Sequence, residues 1–191
     1  MTDINYPAAH SMDTLWYAVD DAGHVAALFT EENGFVPMAM GRASLFEELQ
    51  RQILGPDDDS FWTWAAHKMG VFLYRYNDAA GSEGPADLYH RDMVAARPLH
   101  VDQLPPDLRA EWKRVRFAGI RFTAAATLQP YEFFACHSPY AAPAGYVASD
   151  GVTVRPIPGR EAEWAGFVAR FQDREPDQAA RYRFEGPTDV R

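Results

Sequence analysis

Two hairpin signals, one near each end of the chain, restrict what the rest can be. Thr14 to Thr30 reads TLWYAVDDAGHVAALFT, two apolar runs parted by Asp20-Asp21-Ala22-Gly23-His24, and Gly23 can take the positive φ that closes a tight turn. Tyr146 to Ile157 repeats the grammar with Asp150-Gly151 between YVAS and VTVRPI, the dipeptide a type I′ turn asks for. Between them the hydrophobic period changes. Leu45, Leu49 and Ile53 share one helical face, Ser44 and Glu47 form a capping box, and Gly55-Pro56 stops the run.

Other segments alternate in the same way. Asp57-Asp58-Asp59-Ser60 predicts the cap of another helix whose Phe61, Trp62, Trp64 and Met69 turn into the core. VFLYRY, residues 71–76, is β-branched and aromatic and reads as a strand. Pro105-Pro106-Asp107 opens a helix to about Val115, the run from Ile120 to Phe134 reads as strand apart from Pro130, and Glu161 to Phe171 forms a last amphipathic helix. The sum is an α+β chain: a mixed or antiparallel sheet built from hairpins, with three to four helices packed on it. Residues 1–172 are expected as one domain, with two lobes meeting near 77–87, and the polar, arginine-rich residues 173–191 as a loosely ordered tail.

Charge is unevenly placed. Residues 1–60 hold eleven carboxylates against Arg42 and Arg51, while the other 131 residues carry sixteen of each sign. An acidic region favours cationic partners and repels nucleic acid and anionic membrane. No run of 18 apolar residues occurs and the amino terminus lacks a basic, then apolar, leader, so neither membrane spanning nor secretion is expected. Cys136 is the single cysteine; with no disulfide possible, a cytoplasmic setting fits. Two lysines beside sixteen arginines read as the codon bias of a GC-rich bacterium.

Catalytic grammar is sparse. Cys136 and His137 are neighbours on an extended segment and point to opposite faces, so the imidazole does not activate the thiol. His90-Arg91-Asp92 has the first letters of a kinase catalytic loop without its asparagine or any glycine-rich phosphate loop. The Asp57 to Asp59 triplet lacks the alternate oxygens and terminal Glu of a calcium loop. With no nucleotide fingerprint and no metal-ligand spacing of histidines, no cofactor and no metal are expected.

Trp16-Tyr17-Ala18-Val19-Asp20, Gly23-His24-Val25-Ala26 and Gly34-Phe35-Val36-Pro37 together resemble the opening of uncharacterised bacterial proteins with a WYAVDxxGHVA-type hairpin, and Pro98-Leu99-His100-Val101-Asp102-Gln103-Leu104-Pro105 is similar to a later segment of such chains. The resemblance carries no catalytic residues. In its size and acidity the chain is also similar to immunity proteins that neutralise bacterial toxins. The expectation is a non-enzymatic domain that binds a basic protein through Asp20, Asp21, Glu31, Glu32, Asp57, Asp58 and Asp59, with Trp62 or Trp64 as apolar anchor. Its rivals are a small enzyme or ligand sensor using Cys136, His137, His90 and Asp92 in a cleft, and a self-associating structural domain.

Overall fold

The computed structural model describes residues 15–31, 34–40, 45–77, 88–137, 145–174 and 176–186. Within them the first hairpin forms as the sequence implies: β1 (Leu15–Val19) pairs antiparallel with β2 (Val25–Phe29), Trp16 opposite Leu28 and Ala18 opposite Ala26. After the short β3 (Val36–Pro37), helices α1 (Leu45–Leu54) and α2 (Trp62–Met69) carry the chain over to β4 (Phe72–Asn77), which lies parallel to β2. A parallel neighbour requires such a crossover, because a tight turn cannot return the chain in the same direction. β5 (Leu88–Met93) and β6 (Thr127–Leu128) complete a five-stranded mixed sheet in the order β1-β2-β4-β5-β6, and α3 (Pro106–Trp112) lies between them in sequence.

A second mixed sheet has the order β10-β9-β8-β7-β3. It uses β7 (Cys136–His137), β8 (Gly145–Val147), β9 (Thr153–Pro156) and β10 (Arg183–Phe184), with α4 (Glu161–Arg174) and α5 (Pro176–Ala179) between the last two strands. The chain is therefore α+β.

The first sheet is covered on both faces. Trp16, Ala18, Ala26, Leu28, Phe72 and Tyr74 join one core with Val36, Cys136, Val147 and Val154 of the second sheet and Trp164 of α4. The alternate residues Tyr17, Val19, Val25, Ala27 and Leu73 join the other core with Leu45, Phe46 and Leu49 of α1, Ala65, Ala66 and Met69 of α2, and Leu108 and Trp112 of α3. That double coverage explains why β1 and β2 read as unbroken apolar runs, without the polar alternation of a half-exposed strand.

Trp16 and Tyr89 are wholly buried, and their polar atoms form a chain: Trp16 Nε1 donates to Tyr89 Oη at 3.0 Å, and that hydroxyl donates to the Phe35 carbonyl at 3.0 Å. Burial holds the phenol far above its usual range, so it stays neutral and able to donate. Tyr89→Phe leaves a donor and an acceptor unpaired in the core, and an expected loss of about 2 kcal/mol will register in urea titration as a lower midpoint at unchanged slope.

Three expectations are corrected. Of the apolar run Ile120 to Phe134, only Thr127–Leu128 pairs as a strand. The rest folds into turns of its own, with Ala124 and Ala125 N–H bonded to the Arg121 carbonyl and Phe134 N–H to that of Pro130, and side chains of the first sheet cap three carbonyls: Tyr74 Oη donates to Ala125 at 2.8 Å, and Arg91 Nη1 to Phe122 and Thr123 at 2.7 and 3.0 Å. The residues expected as a loose tail contain α5 and β10. β10 runs parallel to β9, and the Glu185 carbonyl accepts from Trp164 Nε1 at 2.9 Å, so an aromatic anchor on α4 holds the returning chain. The loop through Asp150-Gly151 has positive φ only at Gly151, which rules out type I′. Asp150 instead accepts from the backbone N–H groups of Val152 and Thr153, at 3.1 and 2.7 Å, and from the Thr153 hydroxyl. The 77–87 stretch lies outside the described residues except Asn77.

Candidate functional site

Among the described residues, the corner between α1 and α2 carries the two most exposed large hydrophobic side chains. Phe61 and Trp64 are 66% and 67% exposed, and Ile53 at the end of α1 is 40% exposed. Large aromatics are rarely left in water without a reason, and a contiguous group of them marks a contact surface more often than a lone exposed leucine does. The local cause is the helical phase. The buried face of α2 is Ala65, Ala66 and Met69, and residues 61, 64 and 68 fall on the other side of the same turns. Trp62 points back toward the protein, its ring 4.7 Å from that of Phe29 and 5.6 Å beneath the Arg75 guanidinium.

Asp58 sets the shape of this corner. Its Oδ1 accepts from the Ser60 N–H at 3.0 Å and from Gln50 Nε2 at 3.1 Å, and its Oδ2 accepts from Lys68 Nζ at 2.8 Å. Gln50 Nε2 also donates to the Asp58 and Ser60 carbonyls, and Lys68 Nζ to the Ser60 hydroxyl. The Lys68 ammonium, then the Ser60 and Gln50 donors, hold the Asp58 carboxyl well below the usual carboxylate range. This is a turn-closing carboxylate and not the expected helix cap: α2 starts after Phe61 with no side chain bonded to its free N–H groups.

The acidic residues do not act together. Asp20 is fully buried; its Oδ1 accepts from the His24 N–H and its Oδ2 from the Phe122 N–H, both at 2.8 Å, with His24 Nδ1 3.2 Å from Oδ2. Asp21 meets Arg116 at 3.1 Å, Glu31 meets Arg75 at 3.5 Å, and Glu32 lies outside the described residues. Downstream cations thus compensate three of the acidic residues singled out from the sequence, Asp21, Glu31 and Asp58, and burial removes a fourth, Asp20. Asp57 and Asp59 are exposed, with no ion-pair partner among the described residues, and they flank the half-buried Asp58 in the turn before Phe61.

The rival catalytic group is dispersed. Cys136 is buried in the second sheet, its thiol pushed far up by burial, and its Sγ lies 3.5 Å from the Phe134 carbonyl. Such a thiol is no nucleophile near neutral pH. Asp92 sits on β5 in the first sheet, bonded to Arg75 at 3.2 Å, with His90 on the same strand. Neither of the two pockets described next is lined by these residues.

The larger pocket, about 320 Å³, lies between the β1–β2 turn and residues 100–116. Its charges are mutually satisfied, Lys113 on Asp102 and Arg116 on Asp21, each at 3.1 Å. The Lys113 hydrogen bond lowers the Asp102 carboxyl below its ordinary range. His100 staples the hairpin to this wall: its Nδ1 accepts from the Asp102 N–H at 3.2 Å, and its Nε2 lies 3.0 Å from the Ala22 carbonyl. The smaller pocket, about 150 Å³, is lined by Phe35, Tyr131, Asp150 and Tyr182 among others. Its Asp150 is lowered to about 2 by the Thr153 hydroxyl and backbone donors, so that carboxylate is already committed to its own loop.

Sequence reading placed Ile53 on the helical face of Leu45 and Leu49, whereas the structure leaves it exposed and buries Phe46 and Gln50 in its stead; it did not single out Gln50 or Lys68. The signal for Gln50 and Lys68 is absent locally, because each acts on Asp58 across eight and ten residues. Compared with protein-family models, curated proteins and solved structures, the chain matches none.

Proposed function

We propose that this chain is a non-enzymatic protein-binding domain that takes a basic partner, in the manner of an immunity protein covering a cationic toxin. The observation that carries the reading is the placement of Phe61 and Trp64, two-thirds exposed, beside the uncompensated Asp57 and Asp59. The two rings leave roughly 300 Å² of apolar surface in water, about 7 kcal/mol of gross driving force when covered. Association costs about 4–15 kcal/mol, so the rings supply anchors and the surrounding polar rim must complete the contact. A net charge of −9 adds long-range attraction for a cationic protein.

The test is biochemical fractionation. The chain isolated from its native host at low salt is expected to run in a stoichiometric complex with a strongly basic protein, and the complex is expected to loosen progressively as sodium chloride is raised from 0.05 to 0.5 M. A chain that runs alone, or only with itself, or with an acidic partner insensitive to salt, contradicts this function.

A further inference from the structure

Resting on the protein-binding reading above, we infer that the α1–α2 corner is the docking surface, and that its partner presents an apolar pocket for the Trp64 indole flanked by only two or so Lys or Arg side chains, not a broad cationic cleft. Three observations carry this. The first is electrostatic: Asp20 is internal, and Asp21, Glu31 and Asp58 are held by Arg116, Arg75 and Lys68, which leaves Asp57 and Asp59, among the described residues of the acidic set, as the exposed carboxylates free to meet a partner's cation. A partner matched to this surface therefore brings few cations, placed close to the apolar contact.

The second is geometric. Asp58 turns inward while Asp57 and Asp59 stay outside, so the two free carboxylates bracket one turn that leads directly into Phe61 and Trp64. Arginine suits such a place, because its guanidinium can stack on an indole while bonding a carboxylate. The third is rigidity. Gln50 and Lys68 tie the turn at Asp58 and Ser60 through five hydrogen bonds of 2.7 to 3.1 Å. Rings presented from a pre-fixed turn lose little freedom on binding, which favours a small epitope with slow dissociation.

The experiment places a photo-crosslinking phenylalanine analogue at position 61, where it replaces a phenylalanine and leaves Trp64 intact, or, as a comparison, at position 94, where Val94 is exposed just after β5. Each variant is irradiated in the native host, the adduct is identified by mass spectrometry, and the identified protein is purified and titrated against the parent chain, Trp64→Ala and Asp57→Asn/Asp59→Asn. The expected result is an adduct from position 61 and not 94, formed with a basic protein. Kd should rise about 30- to 1000-fold for Trp64→Ala, and the association rate should fall about 3- to 10-fold for the double Asn variant. Melting temperatures matching the parent's would show that the substitutions act on the surface alone.

A basic partner that crosslinks at position 94 and binds Trp64→Ala as tightly as the parent overturns the docking surface but leaves the binding function standing. Binding that depends on Trp64 but not at all on Asp57 and Asp59 overturns the cationic part of the epitope. A second copy of this chain in the position-61 adduct, or no adduct from either position, overturns both readings.

Discussion

Asp20→Ala is expected to cost about 4 kcal/mol, one of the largest losses available to a single polar residue in this chain. Asp20 looks like a turn aspartate, one of a pair before Ala22-Gly23, yet it is 0% exposed and accepts from two backbone N–H groups and faces the His24 ring. Removing the carboxylate strands both N–H donors in the core, each at about 1–3 kcal/mol, and abolishes the buried contact with His24. The second of those donors matters most. Phe122 N–H, together with the Ile120 carbonyl that accepts from Asp21 N–H at 2.9 Å, fastens the 120–126 segment to the hairpin, and the Phe122 ring lies 5.6 to 5.9 Å from Tyr74, Phe72 and Phe117. Asp20→Asn is not a rescue: its carbonyl oxygen can serve one N–H, but its amide N–H₂ then faces the other donor. Differential scanning calorimetry should show the Ala variant melting roughly 10 °C lower, with Asn between it and the parent. A drop of under about 2 °C would show the carboxylate to be dispensable and the 120–126 segment to be held by its rings and by its bonds to Asp21 N–H, Tyr74 and Arg91.

Asp20 also marks where sequence reading stops. Nothing local distinguishes Asp20 from Asp21; the difference is made by a backbone donor 102 residues away and by an arginine 95 residues away. What was legible had short range. The opening hairpin followed from its turn residues, α1 from its period and stop, and the α+β class from the change of period between them. The parallel pairing of β2 with β4 was not legible, nor was the assembly of the second sheet from strands such as β3, β7 and β10, each of two residues. Two residues carry no period, and their register is set by partners far along the chain. The candidate site was half legible for the same reason. Asp57, Asp59 and Trp64 were identified by type, whereas the exposure of Phe61 depends on which face of α2 the core covers. Composition counts a phenylalanine as core wherever it stands.

A second large effect is expected at Gly70, and it bears on the docking surface because this residue ends α2. Gly70 has φ 78° and ψ 23°; its N–H bonds to the His67 carbonyl, and Val71 N–H reaches back to that of Ala66. This is the left-handed C-terminal cap in which glycine is strongly favoured. A methyl group there costs about 1 kcal/mol for the backbone conformation alone, but it also overlaps the Arg97 carbonyl oxygen. That carbonyl cannot simply recede. Leu99 N–H is bonded to the Gly70 carbonyl at 2.8 Å and the Leu99 carbonyl to Val25 N–H at 3.1 Å, so the 97–99 segment is tied to both α2 and β2. Gly55 supplies the control: it too has positive φ, at 105°, but nothing lies within 4 Å of a Cβ built on it. Gly55→Ala should therefore lose about 1 kcal/mol and Gly70→Ala about 3 kcal/mol or more, read as the separation of their urea midpoints. Equal losses would mean that the 97–99 segment yields to the methyl at no cost, and that the end of α2 is not fixed by it. With the larger loss at Gly70, the orientation of α2 depends on a backbone contact at its C-terminal end, and the presentation of Phe61 and Trp64 is then tied through the 97–99 segment to β2.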